Sequence, residues 1–147
     1  MIWNNSHLTA IDRKRISLPA KYLREAKLLK GRVLDFGCGH GMDARALKCD
    51  RYDPHYYPHW PKYKYNTILV TYVLNVLPHE ERLKVFEDVK KLAHKGGCHA
   101  YFAVRRDLKI ESDSQFIVTL DYMPSVVRKH GFEIYDWWIP GENMKGP

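Results

Sequence analysis

The residues whose types and spacing point most directly to chemistry lie between Val33 and Gly41. This stretch reads V-L-D-F-G-C-G-H-G, an apolar run and an aspartate followed by three glycines at alternate positions. Such glycines predict a tight turn whose backbone approaches a ligand without intervening side chains. The G-x-G-x-G spacing differs from the G-x-G-x-x-G of dinucleotide sites, and Asp35 would repel a pyrophosphate. The stretch predicts a site for a ligand with a cationic group; the alternative is a strand-to-helix turn in another kind of α/β protein.

A second acidic residue, Asp53, follows the glycines along the chain. The segment D-R-Y-D-P at 50–54 predicts a brief strand that ends at Asp53, because Pro54 forces a turn. A carboxylate at that strand end is placed to accept hydrogen bonds from two ribose hydroxyls, each contributing about 1.5–3 kcal/mol. The alternative is an aspartate that only begins an Asp-Pro turn.

Further candidate residues follow two predicted strands at 67–73 and 98–104. Ligands of open α/β sheets bind outside the carboxyl ends of the strands. The first strand end and its continuation predict three pocket residues: Tyr72, Leu74 and Asn75. The second delivers Arg105, Arg106 and Asp107 to the same edge. The two arginines are candidates to hold an anionic group of a substrate; the alternative is a polar loop after a strand.

Cysteine and histidine spacing argues against a disulfide framework and a metal site. The three cysteines, Cys38, Cys49 and Cys98, include no C-x-x-C pair. His55 and His59 are four residues apart, but the prolines around them disfavour a helix that would bring the two imidazoles together. We expect reduced thiols and no metal.

The elements that position these residues alternate between strand and helix patterns. Helices are predicted at 18–30, 42–48, 79–95 and 124–130, and strands at 32–36, 50–53, 67–73, 98–104 and 132–139. Ser17 and Pro19 mark the start of the first helix and Gly31 its end. In the helix at 79–95, Leu83, Phe86, Val89 and Leu92 form the predicted inward face.

The length of the chain and the distribution of its charge suggest one domain with a basic N-terminal segment. The chain has 147 residues, which predicts a single domain at 1–147 with an arm or lid at 1–17, a core at 18–140 and a tail at 141–147. Residues 1–32 hold eight basic and two acidic side chains, so Arg13 and its neighbours are candidates to contact an anionic substrate. The alternative is a solvated helix surface. No apolar run is long enough for a membrane span, and we expect a cytoplasmic protein without a membrane partner.

Three segments in order resemble the class I S-adenosylmethionine-dependent methyltransferases: V-L-D-F-G-C-G-H-G, Y-D-P-H, and T-I-L-V-T-Y-V-L-N-V-L-P with its helix. T-A-I-D-R-K-R-I-S-L-P, Y-V-L-N-V-L and V-R-R-D are also similar to a group of compact, often phage-encoded methyltransferases, related to the domain found beside DNA phosphorothioation genes. The resemblance to the latter group favours a bacterial or phage-infected host cytoplasm.

The class I resemblance implies a Rossmann-like α/β fold with a mostly parallel sheet, helices on both faces and an antiparallel C-terminal strand. Residues 55–65 are too few and too rich in aromatic residues and proline for the usual helix and third strand, so this edge is predicted to be missing. Tyr56, Tyr57 or Trp60 would then stack on the adenine or pack over the exposed sheet edge.

The resemblance implies S-adenosylmethionine as the cofactor. Asp35, Gly37, Gly39 and Gly41 match the cofactor loop, which includes Cys38; Asp53, with Pro54 beside it, matches the ribose carboxylate, and Asn75 falls where cofactor and substrate meet. His40, Asp107 and His7 are candidates for a base, which a hydroxyl or a protonated amine acceptor requires.

The acceptor is predicted only by class. The N-P-P-Y or D-P-P-Y segment used on exocyclic amines of bases is missing after the strand at 67–73, and no cysteine has a proline beside it. We expect a small or modest-sized acceptor. Two alternatives stay open: an RNA or DNA methyltransferase that uses the basic N-terminal segment, and a cofactor-binding protein without catalysis.

Overall fold

A computed structural model describes residues 14–142, which form a six-stranded sheet with helices on both faces. The strands are β1 (Val33–Phe36), β2 (Asp50–Tyr52), β3 (Thr67–Thr71), β4 (Gly97–Arg105), β5 (Ser125–Arg128) and β6 (Phe132–Pro140). The helices are α1 (Leu18–Glu25), α2 (Met42–Leu47) and α3 (His79–Leu92), with a 3-10 turn at Leu74–Val76.

The strand order is β2-β1-β3-β4-β6-β5. Strands β2, β1, β3 and β4 are parallel neighbours, whereas β6 pairs antiparallel with both β4 and β5. The carboxyl ends of the first four strands therefore meet at one edge of the sheet. This arrangement confirms the predicted Rossmann-like fold with an antiparallel C-terminal strand.

The predicted loss of one sheet edge is also confirmed. β2 is an outermost strand, and no further helix or strand lies between β2 and β3 within residues 14–142. The connecting residues instead form turns and an isolated bridge between Asp53 and Tyr57. The outer edge of β2 consequently has no strand beside it in the described part of the chain.

Two apolar layers cover the sheet. Alternate residues of β3 face opposite sides, so Ile68 and Val70 pack with α3 while Leu69 packs with α1. Val85, Val89 and Leu92 are the buried residues of α3. Leu83 is 51% exposed, which contradicts its predicted inward position. It lies on the flank of the helix, where Phe86 rather than Leu83 packs against the core.

Helix α1 ends at Glu25, five residues before the predicted end at Lys30. Lys27 adopts a left-handed backbone with φ of 60°, and the N–H of Leu28 donates to the carbonyl of Leu23 at 3.0 Å. These are the features of a Schellman ending, which here forms without the glycine that usually marks it. The predicted stop at Gly31 was therefore wrong.

The predicted helix at 124–130 was wrong as well, because this segment contains strand β5. Ser125–Arg128 pairs antiparallel with β6, and the N–H of Lys129 donates to the carbonyl of Phe132 at 2.8 Å. Val126 and Val127 favour a strand through their β-branched side chains, and β6 supplies the partner. Two further predicted elements are shorter than expected, since β3 ends at Thr71 and α3 ends at Leu92.

No helix within residues 14–142 is long and apolar enough to cross a membrane. The predicted arm at 1–17 and tail at 141–147 lie largely outside the described residues. The single-domain organisation stays a prediction.

Candidate functional site

The glycine loop, residues 37–41, connects the end of β1 to the start of α2. Gly37, Gly39 and Gly41 have φ values of 77°, 56° and 87°, a left-handed region that strains other residues. The N–H groups of Gly37 and Cys38 donate to the carbonyl of Tyr52 at 2.8 and 3.1 Å, which fixes the loop to the end of β2. The tight turn predicted from the spacing is confirmed.

Two side chains hold the outer part of this loop: Arg45, which the sequence analysis did not identify, and Tyr57, which it named only for stacking on adenine or packing over the sheet edge. The carbonyl of His40 accepts hydrogen bonds from Arg45 Nη1 at 2.9 Å and from the hydroxyl of Tyr57 at 3.2 Å. A Cβ added at Gly41 would lie 3.1 Å from a ring carbon of Tyr57. The loop is thus held from α2 and from the 53–66 connection, and these contacts have no signature in the local sequence.

Asp35 lies at the end of β1 beneath the loop and is only 2% exposed. Burial, then the nearby carboxylates of Asp43 and Asp53, raise the pKa of Asp35 well above its usual value. Within residues 14–142, no group donates a hydrogen bond to its carboxylate. A buried carboxylate in this state interacts favourably with a cationic group, because the cation would offset both the desolvation and the repulsion.

Asp43, in the first turn of α2, has a structural task that the sequence analysis did not identify. Its two carboxylate oxygens accept hydrogen bonds from the N–H and the hydroxyl of Ser17 at 2.7 and 2.6 Å. Ser17 in turn caps α1 through the N–H of Ala20. The only sequence signal was the Ser-Leu-Pro helix start, which does not reveal a partner 26 residues away.

Strand β2 ends at Tyr52, one residue before the predicted end, and Asp53 follows it directly with its side chain buried beside the glycine loop. One carboxylate oxygen accepts the N–H of Gly39, and the other accepts the N–H groups of His55 and Tyr56, all at 3.0 Å. The residue therefore both begins the Asp-Pro turn and joins it to the loop. A carboxylate has about four acceptor positions, and residues 14–142 use three of those of Asp53, which leaves one on the first oxygen for a hydroxyl.

The residues after β3 have different structural roles: Tyr72 has a strained backbone, whereas Leu74 and Asn75 are packed or hydrogen-bonded inside the fold. Tyr72 has φ of 59°, an uncommon conformation that often accompanies functional sites. Leu74 and Asn75 are buried, and the amide of Asn75 donates to the carbonyl of Phe116 and accepts from the N–H of Arg105, at 2.7 and 2.8 Å. Asn75 thus joins this turn to the end of β4, and Leu74 belongs to the core.

Arg105 and Asp107, candidates for substrate binding and for a base, are paired with each other. Two nitrogens of the Arg105 guanidinium contact the two carboxylate oxygens of Asp107, both at 2.8 Å, and a third donates to Gln115 at 2.9 Å. These hydrogen bonds from Arg105 lower the pKa of Asp107. A lowered pKa makes Asp107 a weak base at neutral pH.

Arg106 is a largely buried member of a polar network, with its side chain 10% exposed, instead of a free surface cation. Its guanidinium donates to Glu133 at 2.8 Å, to the Val118 carbonyl at 2.7 Å and to the Tyr135 hydroxyl at 2.5 Å. Ser125 also donates to Glu133, at 2.6 Å. The network joins the end of β4 to β5 and β6. Its hydrogen bonds satisfy the polar atoms of the Arg106–Glu133 ion pair, which offsets the cost of taking two charges out of water. Its members are far apart in the sequence, so no local pattern predicted it.

The remaining candidates fall into two groups. His40 lies on the glycine loop with its ring 4.3 Å from that of Tyr56, so it is at the edge where the strand ends meet. His7 and Arg13 lie outside the described residues.

The aromatic residues of 55–65 contact the sheet edge and the loop. The ring of Trp60 meets Tyr52 edge-on at 5.2 Å, and the guanidinium of Arg51 lies 4.0 Å from the centre of the Tyr57 ring. Within residues 14–142, no group of three His, Cys, Asp or Glu side chains is arranged to hold a metal ion.

Comparison with known proteins gives similarity in structure only. No family model and no curated protein matches the sequence. The N-methyltransferase NodS from Bradyrhizobium japonicum WM9 aligns with a TM-score of 0.55 at 13% identity, over 84% of this chain and 98% of NodS. Magnesium protoporphyrin IX methyltransferase (ChlM) from Synechocystis PCC 6803, with bound SAM, aligns with a TM-score of 0.51 at 14% identity, over 84% of this chain and 76% of ChlM. DhpI, in complex with SAH, gives 0.52 at 16%, over 84% of each chain. The described chain therefore has the fold of these three proteins, of which NodS and ChlM are named as methyltransferases.

Proposed function

We propose that this protein is a methyltransferase that uses S-adenosylmethionine and acts on a small or modest-sized acceptor. The observation that carries the proposal is the glycine loop with three left-handed glycines above the buried carboxylate of Asp35. The structural neighbours support the proposal in two ways. NodS and ChlM are named as methyltransferases, and the structures of ChlM and DhpI contain SAM and SAH, respectively.

The residues present fit this cofactor in charge and shape. Asp35 supplies negative charge where an amino acid's ammonium group would bind, and the glycines let the backbone approach without side chains. Asp53 has one acceptor position left, so we propose one hydrogen bond to a ribose hydroxyl instead of the two expected from the sequence. Tyr72 and the backbone of residues 74–75 are proposed to border the same pocket.

The cofactor supplies an activated methyl group with its own leaving group, so no covalent enzyme intermediate is needed. The chain's task is to bind, to orient the acceptor in line with the methyl group and to exclude water. Among the candidate bases, His40 is favoured by its place on the loop, because Asp107 is paired with Arg105. Arg105 and Arg106 are committed to internal partners, and for this reason we do not assign them the role of holding an anionic acceptor.

Calorimetry with S-adenosylmethionine and S-adenosylhomocysteine tests the cofactor assignment. We expect binding by the wild-type protein and weaker binding by Asp53→Asn, because the asparagine amide changes the acceptor that holds Gly39 and the ribose. Asp113→Asn, an exposed aspartate outside the site, is the matched control. Wild-type protein that binds neither compound would contradict the proposal.

A screen for S-adenosylhomocysteine release across amine, hydroxyl and thiol acceptors tests catalysis. Product with a small acceptor supports the proposal. Cofactor binding without product from any acceptor, RNA and DNA included, would favour a binding protein without catalysis. The similarity to compact phage-encoded methyltransferases and the cytoplasmic location stay predictions from the sequence.

A further inference from the structure

A groove of about 510 Å³ runs beside β2 on the edge where the fold lacks a strand. We call it the edge groove. Its walls are residues 44 and 45 of α2, residues 48–51 that follow this helix, and residues 59–63 and 65 of the connection to β3. None of the glycine loop residues 37–41 lines it, so it is separate from the proposed cofactor site.

The edge groove is strongly basic. Four of its lining residues are Lys or Arg: Arg45, Lys48, Arg51 and Lys62. Its single acidic residue is Asp50, whose carboxylate accepts the hydroxyl of Tyr65 at 2.7 Å. Four basic residues against one carboxylate that is already hydrogen-bonded favour a polyanion.

The groove also presents two large aromatic side chains to solvent. Trp60 is 44% exposed and Tyr63 is 53% exposed. Each is held on one side, because Trp60 meets Tyr52 edge-on at 5.2 Å and the guanidinium of Arg32 lies 3.9 Å from the centre of the Tyr63 ring. Rings positioned by neighbours and open on another side can stack with a planar partner at a low cost in side-chain entropy.

Protection of a sheet edge does not account for these features. A short strand with charged side chains is enough to prevent edge-to-edge pairing, and β2 already meets that condition with three residues that include Asp50 and Arg51. A concave surface with exposed aromatic rings adds apolar area that protection does not need. Cations beside stacking rings are instead the combination found where proteins bind single-stranded nucleic acid.

We propose that the edge groove binds single-stranded RNA or DNA, with Lys48, Arg51 and Lys62 contacting phosphates and with Trp60 and Tyr63 stacking on bases. Unpaired bases offer the planar faces that a duplex keeps inside. The inference does not rest on the proposed methyl transfer, because none of the proposed cofactor-binding residues lines the groove. The two sites share one supporting residue, Arg45, which lines the groove and also donates to the carbonyl of His40 in the glycine loop.

Fluorescence anisotropy with a labelled 12-nucleotide oligo(dT) or oligo(U), titrated at several salt concentrations, tests the proposal. For single strands the logarithm of affinity falls by about 0.7 per phosphate contact for each tenfold rise in salt. Lys48→Glu/Lys62→Glu removes two contacts, so the plot of log affinity against log salt concentration should become less steep by about 1.4. Trp60→Ala should weaken binding roughly 5- to 150-fold, and Trp60→Phe should retain most of the affinity.

Lys84→Glu/Lys90→Glu is the matched control, since it makes the same change in net charge at exposed positions of α3 outside the groove. Thermal unfolding confirms that each variant is folded. Equal loss in the groove and control variants, or unchanged binding by Lys48→Glu/Lys62→Glu, would overturn the proposal. So would binding of an extended peptide along β2 with no binding of either oligonucleotide. Wild-type protein that binds the oligonucleotide but shows no binding of S-adenosylmethionine in calorimetry would instead count against the proposed function alone.

Discussion

Replacing Asp35 with asparagine should stabilise the ligand-free protein and weaken cofactor binding. The carboxylate is buried, is repelled by Asp43 and Asp53, and has no hydrogen-bond donor within residues 14–142. An amide of nearly the same shape removes the charge without leaving a cavity, and a neutral polar group is far less costly to bury than a charge. Substitutions that relieve such local strain at a functional site commonly stabilise by about 0.5–2 kcal/mol.

The effect of Asp35→Asn on stability should depend on pH in a defined direction. Because the pKa of Asp35 is raised in the folded protein, the folded state binds more protons than the unfolded state between 3.8 and that raised value. The stability that Asp35 costs therefore grows as the pH rises through this window and is fully present above it. The advantage of Asp35→Asn should be larger at pH 8 than at pH 5.

Although Asp35→Asn should increase stability, it should decrease the affinity for the cofactor. A hydrogen bond to a charged group contributes about 1.5–3 kcal/mol, so its loss corresponds to roughly 10- to 150-fold weaker binding. Chemical denaturation at pH 5 and pH 8 gives the stability, and calorimetry with S-adenosylmethionine gives the affinity. Asp113→Asn should change neither.

Two results would refute this reasoning. Unchanged affinity in Asp35→Asn would show that the carboxylate does not face the cation. A variant that is less stable than the wild type at pH 8 would show that Asp35 is stabilised by a partner in the folded protein.

Four further predictions concern the loop, the polar network and one thiol. Gly41→Ala should destabilise the protein by about 1–2 kcal/mol and weaken cofactor binding, because φ is 87° and the methyl group would meet Tyr57; denaturation and calorimetry measure both effects. Glu133→Leu should cost about 3–5 kcal/mol in denaturation experiments, because it leaves Arg106 buried without its carboxylate. Although burial alone would raise the pKa of Glu133, its hydrogen bonds lower it, so its contribution is present above pH 4.5 and is lost as the pH falls through the lowered value; acid titration of wild type against Glu133→Gln checks this sign. Burial raises the pKa of Cys49 to about 12, so iodoacetamide at pH 8 should modify it slowly in the folded protein and faster after denaturation, as mass spectrometry would show.

Some elements could be predicted because their signals are local. Glycine tolerates the left-handed backbone that strains other residues, so three glycines at alternate positions predicted a tight turn, and all three in the loop have positive φ. The β-branched run in β3 and the prolines after Asp53 restrict the backbone without reference to the rest of the chain. The loss of an edge strand was predictable because eleven residues of that composition cannot hold both a helix and a strand.

Other elements depended on partners that are distant in sequence. The segment at 125–128 became a strand because β6 offered an edge for pairing, and a periodicity count of a few residues does not include that edge. Helix α1 ended early through a Schellman turn at Lys27, although the sequence placed a glycine further on.

The amino-acid sequence by itself determined the order of strands and helices from α1 to β4, the backbone shape of the glycine loop and the placement of Asp35 and Asp53 beside it. Only the tertiary structure decided which charged groups are available to a ligand. Arg105 and Arg106 read as free cations in the sequence, yet Asp107 and Glu133 occupy them in the fold. The edge groove likewise exists only because α2, β2 and residues 59–65 meet in space. The physical reason is that backbone conformation follows from a few neighbouring residues, whereas burial and the pairing of charges follow from contacts between distant parts of the chain.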